Sequence, residues 1–113
     1  MVKKMRIEDV VWSLLKGETK VSELNDYQIY YSYVILHELR NELEKVYRKY
    51  KYELGDYTKA ILTILNKTIK ELKPRATSID ICYVMLEVAN RVSEVVSRKI
   101  LEKLMLMFYR EKQ

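Results

Sequence analysis

Residues 22–55 read SELNDYQIYYSYVILHELRNELEKVYRKYKYELG. Apolar positions recur through this stretch at Leu24, Tyr27, Tyr31, Val34 and Ile35, Leu39, Leu43, Val46, Tyr50 and Leu54. Spacings of three and four are the period of an α-helix, not of a strand. No Gly or Pro interrupts them before Gly55. The pattern predicts one helix over about 22–53, roughly 45 Å long at 1.5 Å per residue. Ser22 is its expected N-cap, with Glu23 and Asp26 in the first turn, where the macrodipole favours acids. Gly55 is the expected C-cap and Asp56 the N-cap of the next helix.

The flanks follow the same period. A first helix is expected from about Lys4 to Lys16, with Ile7, Val10, Val11, Leu14 and Leu15 on one face and Gly17 as its stop. A third carries Tyr57, Ala60, Ile61, Ile64, Leu65, Thr68, Ile69 and Leu72, and is expected to end at Lys73-Pro74. Thr77-Ser78-Ile79-Asp80 resembles a capping box, and opens a fourth helix over about 78–110. Short connections place neighbouring helices antiparallel. The fold expected is all-α: an elongated antiparallel four-helix bundle with two long helices, about 22–53 and 78–110, in one domain over 1–113.

Composition agrees. The chain has 113 residues, two Gly and one Pro, too few turn residues for a sandwich or barrel of many strands. Hydrophobic residues make up 49%, enough for a core, which excludes global disorder. No apolar run approaches the roughly 18 residues a membrane span needs. The basic start, Met-Val-Lys-Lys-Met-Arg, leads into Ile7-Glu8-Asp9 and not into a signal core. The expected location is cytoplasmic. Few Gln with abundant Lys, Glu, Ile and Tyr is the usage of a heat-adapted source.

Catalytic chemistry has little to stand on. His37-Glu38-Leu39-Arg40-Asn41 lacks the second His of a zinc helix motif, and the chain has one His in all. Gly17 and Gly55 are too far apart for a phosphate loop. Cys82 is alone and lies in an apolar run, where a buried thiol is expected. A Cys82–His37 nucleophilic pair would need two helices to bring them together. No carboxylate pair offers itself for acid–base work. The expectation is a non-enzyme without metal or cofactor.

Binding has more. The ten tyrosines cluster around Tyr27, Tyr30, Tyr31 and Tyr33, and again at Tyr47, Tyr50 and Tyr52. They fit helix-covering residues with wet hydroxyls, a protein interface, or base stacking. The formal charge is +5. Lys45, Arg48 and Lys49, then Lys70, Lys73 and Arg75, then Arg98 and Lys99 fall toward helix ends, where the macrodipole favours cations. They are also the candidate nucleic-acid contacts. In the last turns, Leu101, Leu104, Met105, Phe108 and Tyr109 offer more apolar surface than one buried stripe uses, and are the candidate subunit contact.

Two family likenesses attach to these residues. Val11-Trp12-Ser13-Leu14-Leu15-Lys16-Gly17-Glu18-Thr19-Lys20-Val21-Ser22-Glu23-Leu24 resembles the opening of winged helix-turn-helix regulators, with Tyr33 to Leu39 in the place of a recognition helix. The turn glycine of that family is missing, and its wing would have to come from residues 46–57. Leu24-Asn25-Asp26-Tyr27 with Tyr30-Tyr31, and much later Arg98-Lys99-Ile100-Leu101, resemble the long-helix lead-in and closing segment of the helical domain of archaeal GINS subunits of the replicative helicase. That likeness covers roughly residues 5–110. It implies a scaffold or adaptor subunit in a DNA-replication assembly, making homo- or hetero-oligomeric contacts and at most weak DNA contacts. The small β-rich domain of many GINS subunits has no counterpart here, so the likeness implies a shortened subunit. A self-associating viral or plasmid protein is the remaining class.

Overall fold

The computed structural model describes residues 6–112, leaving aside the side chains at 50–55, 108–109 and 111–112. The element order is α1 (Ile7–Leu15), a 3-10 turn (Val21–Glu23), α2 (Asp26–Ala76) and α3 (Tyr83–Lys112). The architecture is an all-α bundle.

α1 ends as its glycine requires. Gly17 sits at φ +75°, the Glu18 N–H donates to the Ser13 carbonyl at 2.9 Å, and the Gly17 N–H to the Leu14 carbonyl at 3.2 Å. These two bonds form a complete Schellman motif. Val10, Val11 and Leu14 turn into the core.

α2 begins three residues later than a Ser22 cap would have it. Asn25 is the cap: its Oδ1 accepts from the Gln28 N–H at 2.9 Å, and its own N–H donates to Gln28 Oε1 at 3.0 Å. This reciprocal box satisfies two otherwise orphaned donors. Leu24 and Ile29, on either side of it, are both buried.

The helical run does not break at Gly55, yet it is not straight. Fifty-one residues of straight helix would span about 75 Å, whereas the longest dimension of the molecule is 43 Å. Arg40 reaches Asn66, and Arg75 reaches Asp26. Both pairings are antiparallel, and their midpoints fall in the low fifties. α2 therefore folds back on itself there, into an outgoing limb (26–49) and a return limb (56–76). The two limbs occupy the places of the second and third expected helices. The chain reversal lies where the sequence put it; what is missing is a non-helical linker.

Pro74 is passed, not obeyed. α2 continues to Ala76 because the final turn is held from outside. The Arg75 guanidinium donates to the Val21 carbonyl at 3.1 Å, to the Leu24 carbonyl at 3.0 Å and to Asp26 Oδ1 at 3.2 Å. Thr77 and Ser78 serve this end too: their hydroxyls donate to the Lys73 and Arg75 carbonyls at 2.8 Å each. They finish α2 and do not cap α3, which starts at Tyr83 and not at 78.

The core joins all three helices. Ile29, Ile35, Leu36, Leu39 and Leu43 of the outgoing limb meet Leu65, Ile69 and Leu72 of the return limb and Val96, Ile100 and Leu104 of α3. Tyr27, expected in the stripe, is 59% exposed; Ile29 and the buried Ser32 take that phase instead. α3 buries the small residues Ala89, Ser93 and Ser97 beside Val96 and Ile100. Small side chains let its axis lie close to its neighbours, and this orientation turns Val95 outward.

Candidate functional site

The buried face of α3 leaves a second face open. Val84 is 67% exposed, Val95 56% and Leu106 59%. These three are eleven residues apart, three turns of helix, so they share one side of the cylinder. Val88, one turn after Val84, is 40% exposed on the same side. Arg91, Arg98 and Glu102 are exposed in the same phase, so the apolar positions alternate with charged ones along this face.

At its C-terminal end this stripe runs into a cleft of about 750 Å³ between α1 and α3. Trp12 and Ser13 of α1 form one wall, and Leu106 and Met107 of α3 the other. The rim carries Lys16, Lys103 and Arg110 together with Asp9 and Glu18. The Lys16 and Lys103 ammonium groups stand 5.9 and 5.7 Å from the Trp12 ring centroid, within cation–π range. Lys103 also pairs with Glu8 at 3.5 Å. Trp12 Nε1 is buried without an acceptor.

The residues expected at a subunit contact divide. Leu104 is 3% exposed and belongs to the chain's own core, with Tyr57 donating its hydroxyl to the Leu104 carbonyl at 3.0 Å. That corrects its assignment as a contact residue. Leu101 packs half-buried against the same core, and Met105 is half-buried. Phe108 and Tyr109 lie outside the described side chains. The outward residues of this segment are instead Leu106 and Met107. The apolar excess was legible in the sequence, but its phase depended on Ser93 and Ser97 being inside.

The expected nucleic-acid residues do not converge. The limbs of α2 are antiparallel, so Lys45, Arg48 and Lys49 lie toward the reversal and Lys70, Lys73 and Arg75 toward the opposite end. Glu38, Glu42 and Glu44 share a shallow depression with Lys45 and Arg48, and Lys45 pairs with Glu42 at 3.3 Å. Arg75 is a structural clamp, as described above, which corrects its place among the contacts. Arg98 and Lys99 are exposed on α3. Lys73 instead lies within electrostatic range of His37 on the facing limb, a relation that linear runs of cations do not reveal.

Cys82 is exposed, not buried. It precedes the first turn of α3, its carbonyl accepting from the Leu86 N–H at 3.1 Å, before the helix enters the core at Ala89. Among the described residues no three His, Cys, Asp or Glu side chains gather as metal ligands. None of the described helices is long and apolar enough to cross a membrane. Residues 46–57 are helical throughout, so that segment supplies no wing. No family model, curated protein or solved structure matches the chain.

Proposed function

We propose that this chain is a non-enzymatic helical scaffold or adaptor that works through protein–protein contacts along the outer face of α3. The observation that carries this reading is the aligned exposure of Val84, Val88, Val95 and Leu106, spaced by the charged Arg91, Arg98 and Glu102, on a helix whose opposite side is already packed. Exposed apolar surface of this kind favours association by about 25 cal/mol per Å² removed from water, before the entropic cost of docking. The cleft at Trp12 continues the stripe and provides a pocket for an anchoring side chain, with aromatic and Met surfaces of the type enriched at interfaces. The GINS likeness extends the proposal to a subunit of a DNA-replication assembly. The succession of an opening helix, two antiparallel limbs and a long closing helix supports it. Exposed Arg98 and Lys99 on α3 would give such a subunit weak, sequence-independent DNA contact.

Sedimentation velocity tests the contact surface. The wild-type chain is expected to sediment above monomer mass at tens of micromolar, and the double variant V95E/L106E as a folded monomer by circular dichroism. A wild type that remains monomeric up to millimolar concentration would overturn the self-contact form of the proposal.

A further inference from the structure

The seam between the two limbs of α2 carries a second constellation, on residues distinct from the docking face. Arg40 is only partly exposed, and no described carboxylate lies within ion-pair distance of it. Its guanidinium instead meets neutral partners: one terminal N–H donates to Asn66 Oδ1 at 3.4 Å, and another faces His37 Nδ1 at 3.3 Å. Its Nε is buried without a partner. His37 is steered by the edge of the Tyr33 ring, 4.6 Å between centroids. From the return limb, Lys73 lies close enough for its charge to act on His37. Asn66, Lys70 and Lys73 follow one another at four and three residues, so all three share the side of the return limb that Arg40 touches.

A half-buried guanidinium without a counter-ion is costly, and the charge of Lys73, acting on the His37 ring that Arg40 meets, adds repulsion. The planar fork of Arg is suited to a tetrahedral oxyanion, and Lys supplies point charges around it. We infer that the seam at His37, Arg40 and Lys73 binds a phosphate-type oxyanion, either a free phosphate or one phosphate of a nucleic-acid backbone. Arg40 would hold the anion through its terminal N–H groups, Asn66 and His37 would fix the fork, and Lys73 would neutralise the second charge.

His37 is the chain's one histidine, so its ring protons report the site without assignment ambiguity. The groups facing it are Arg40 on its own limb, Lys73 on the other and the Tyr33 ring. Its pKa is held below the ordinary value by burial and then by the two cations. An anion between those cations reverses part of that effect. Proton NMR of the full chain, titrated in pH at constant ionic strength, is the experiment. It is run with inorganic phosphate, with a short DNA duplex and with acetate. Phosphate or duplex is expected to raise the His37 midpoint by about one unit, and acetate to leave it in place. A response to inorganic phosphate identifies the free anion as sufficient. A response to duplex alone identifies the backbone as the source. R40Q and K73Q should each abolish the rise, while K59Q, at an exposed lysine outside the grouping, retains it. No movement with either phosphate source overturns the inference, as does an equal movement with acetate or in both R40Q and K73Q. Because the readout is local to His37, it can fail while the α3 contact holds, and the reverse.

Discussion

Arg75 shows how much one side chain can organise here. It sits one residue after Pro74, in the last turn of α2, and ties that turn to the carbonyls of Val21, which opens the 3-10 turn, and Leu24, which follows it, and to Asp26 at the head of the same helix. Removing it leaves the Val21 and Leu24 carbonyls without this donor and frees the end of the return limb. Hydrogen bonds from a charged donor contribute about 1.5–3 kcal/mol each at most, and less where water replaces them. R75A is expected to destabilise the fold by about 2 kcal/mol in urea unfolding, with R75K recovering only a part, because a single ammonium cannot reproduce the fork. His37 gives a pH-dependent counterpart. Burial and the neighbouring Arg40 and Lys73 lower its pKa, so the unfolded chain takes up a proton first as pH falls below about 6.5. Stability should therefore decline from about pH 6.5 toward the folded pKa, and be insensitive to His37 above that range. Thermal melts of wild type and H37Q from pH 5 to 8 check this: the variant should lose part of the acid-side slope.

At the scale of elements, the sequence was most legible where periodicity and a glycine agreed. The α1 stripe and the Gly17 stop read directly, because φ of +75° is a position that glycine accepts without strain. The reversal near residue 55 was legible too, from Leu54-Gly55-Asp56 and the antiparallel logic of short connections. Its helical backbone was not, since turn propensity alone does not say whether a reversal is made by a loop or by a bend. Asn25 was passed over as a cap in favour of Ser22, although Asn with Gln three residues on is itself a capping-box pattern. N25A is expected to cost about 1 kcal/mol, measured by the shift in urea midpoint at unchanged slope. Pro74 misled for a related reason. Proline opposes the helix interior by about 3 kcal/mol, but here only the final turn follows it, and the Arg75 clamp offsets the loss. Restoring the missing donor with P74A should stabilise the protein. The gain is at most about 3 kcal/mol, reduced by the roughly 0.4–1 kcal/mol that proline contributes by restricting the unfolded chain.

For the molecule as a whole, the deciding contrast lies between two leucines two residues apart on α3. Leu104 is 3% exposed among Ile100, Val96 and the limbs of α2, whereas Leu106 is 59% exposed where the open stripe meets the Trp12 cleft. The sequence pointed to Leu104 and not Leu106 as the contact, because both lie in an apolar run and the phase of the helix is set by contacts made far away in the chain. The same chemical change should therefore have opposite consequences. L104E places a carboxylate in the core, and even the milder L104A is expected to cost about 2–5 kcal/mol through lost burial and a cavity. L106E places the charge in water and should leave the melting temperature within a few degrees of wild type, since exposed substitutions usually change stability by less than about 0.5 kcal/mol. If the outer face of α3 is where a second chain docks, L106E shifts sedimentation toward the monomer while far-UV circular dichroism stays unchanged. Combining it with V95E, three turns earlier on the same side, should complete the loss. If instead L106E lowers the melting temperature as far as L104A does, Leu106 is part of the fold's own packing and the stripe is not a free surface. An unchanged sedimentation coefficient in V95E/L106E would remove the docking role from this face, whatever the melting curves show.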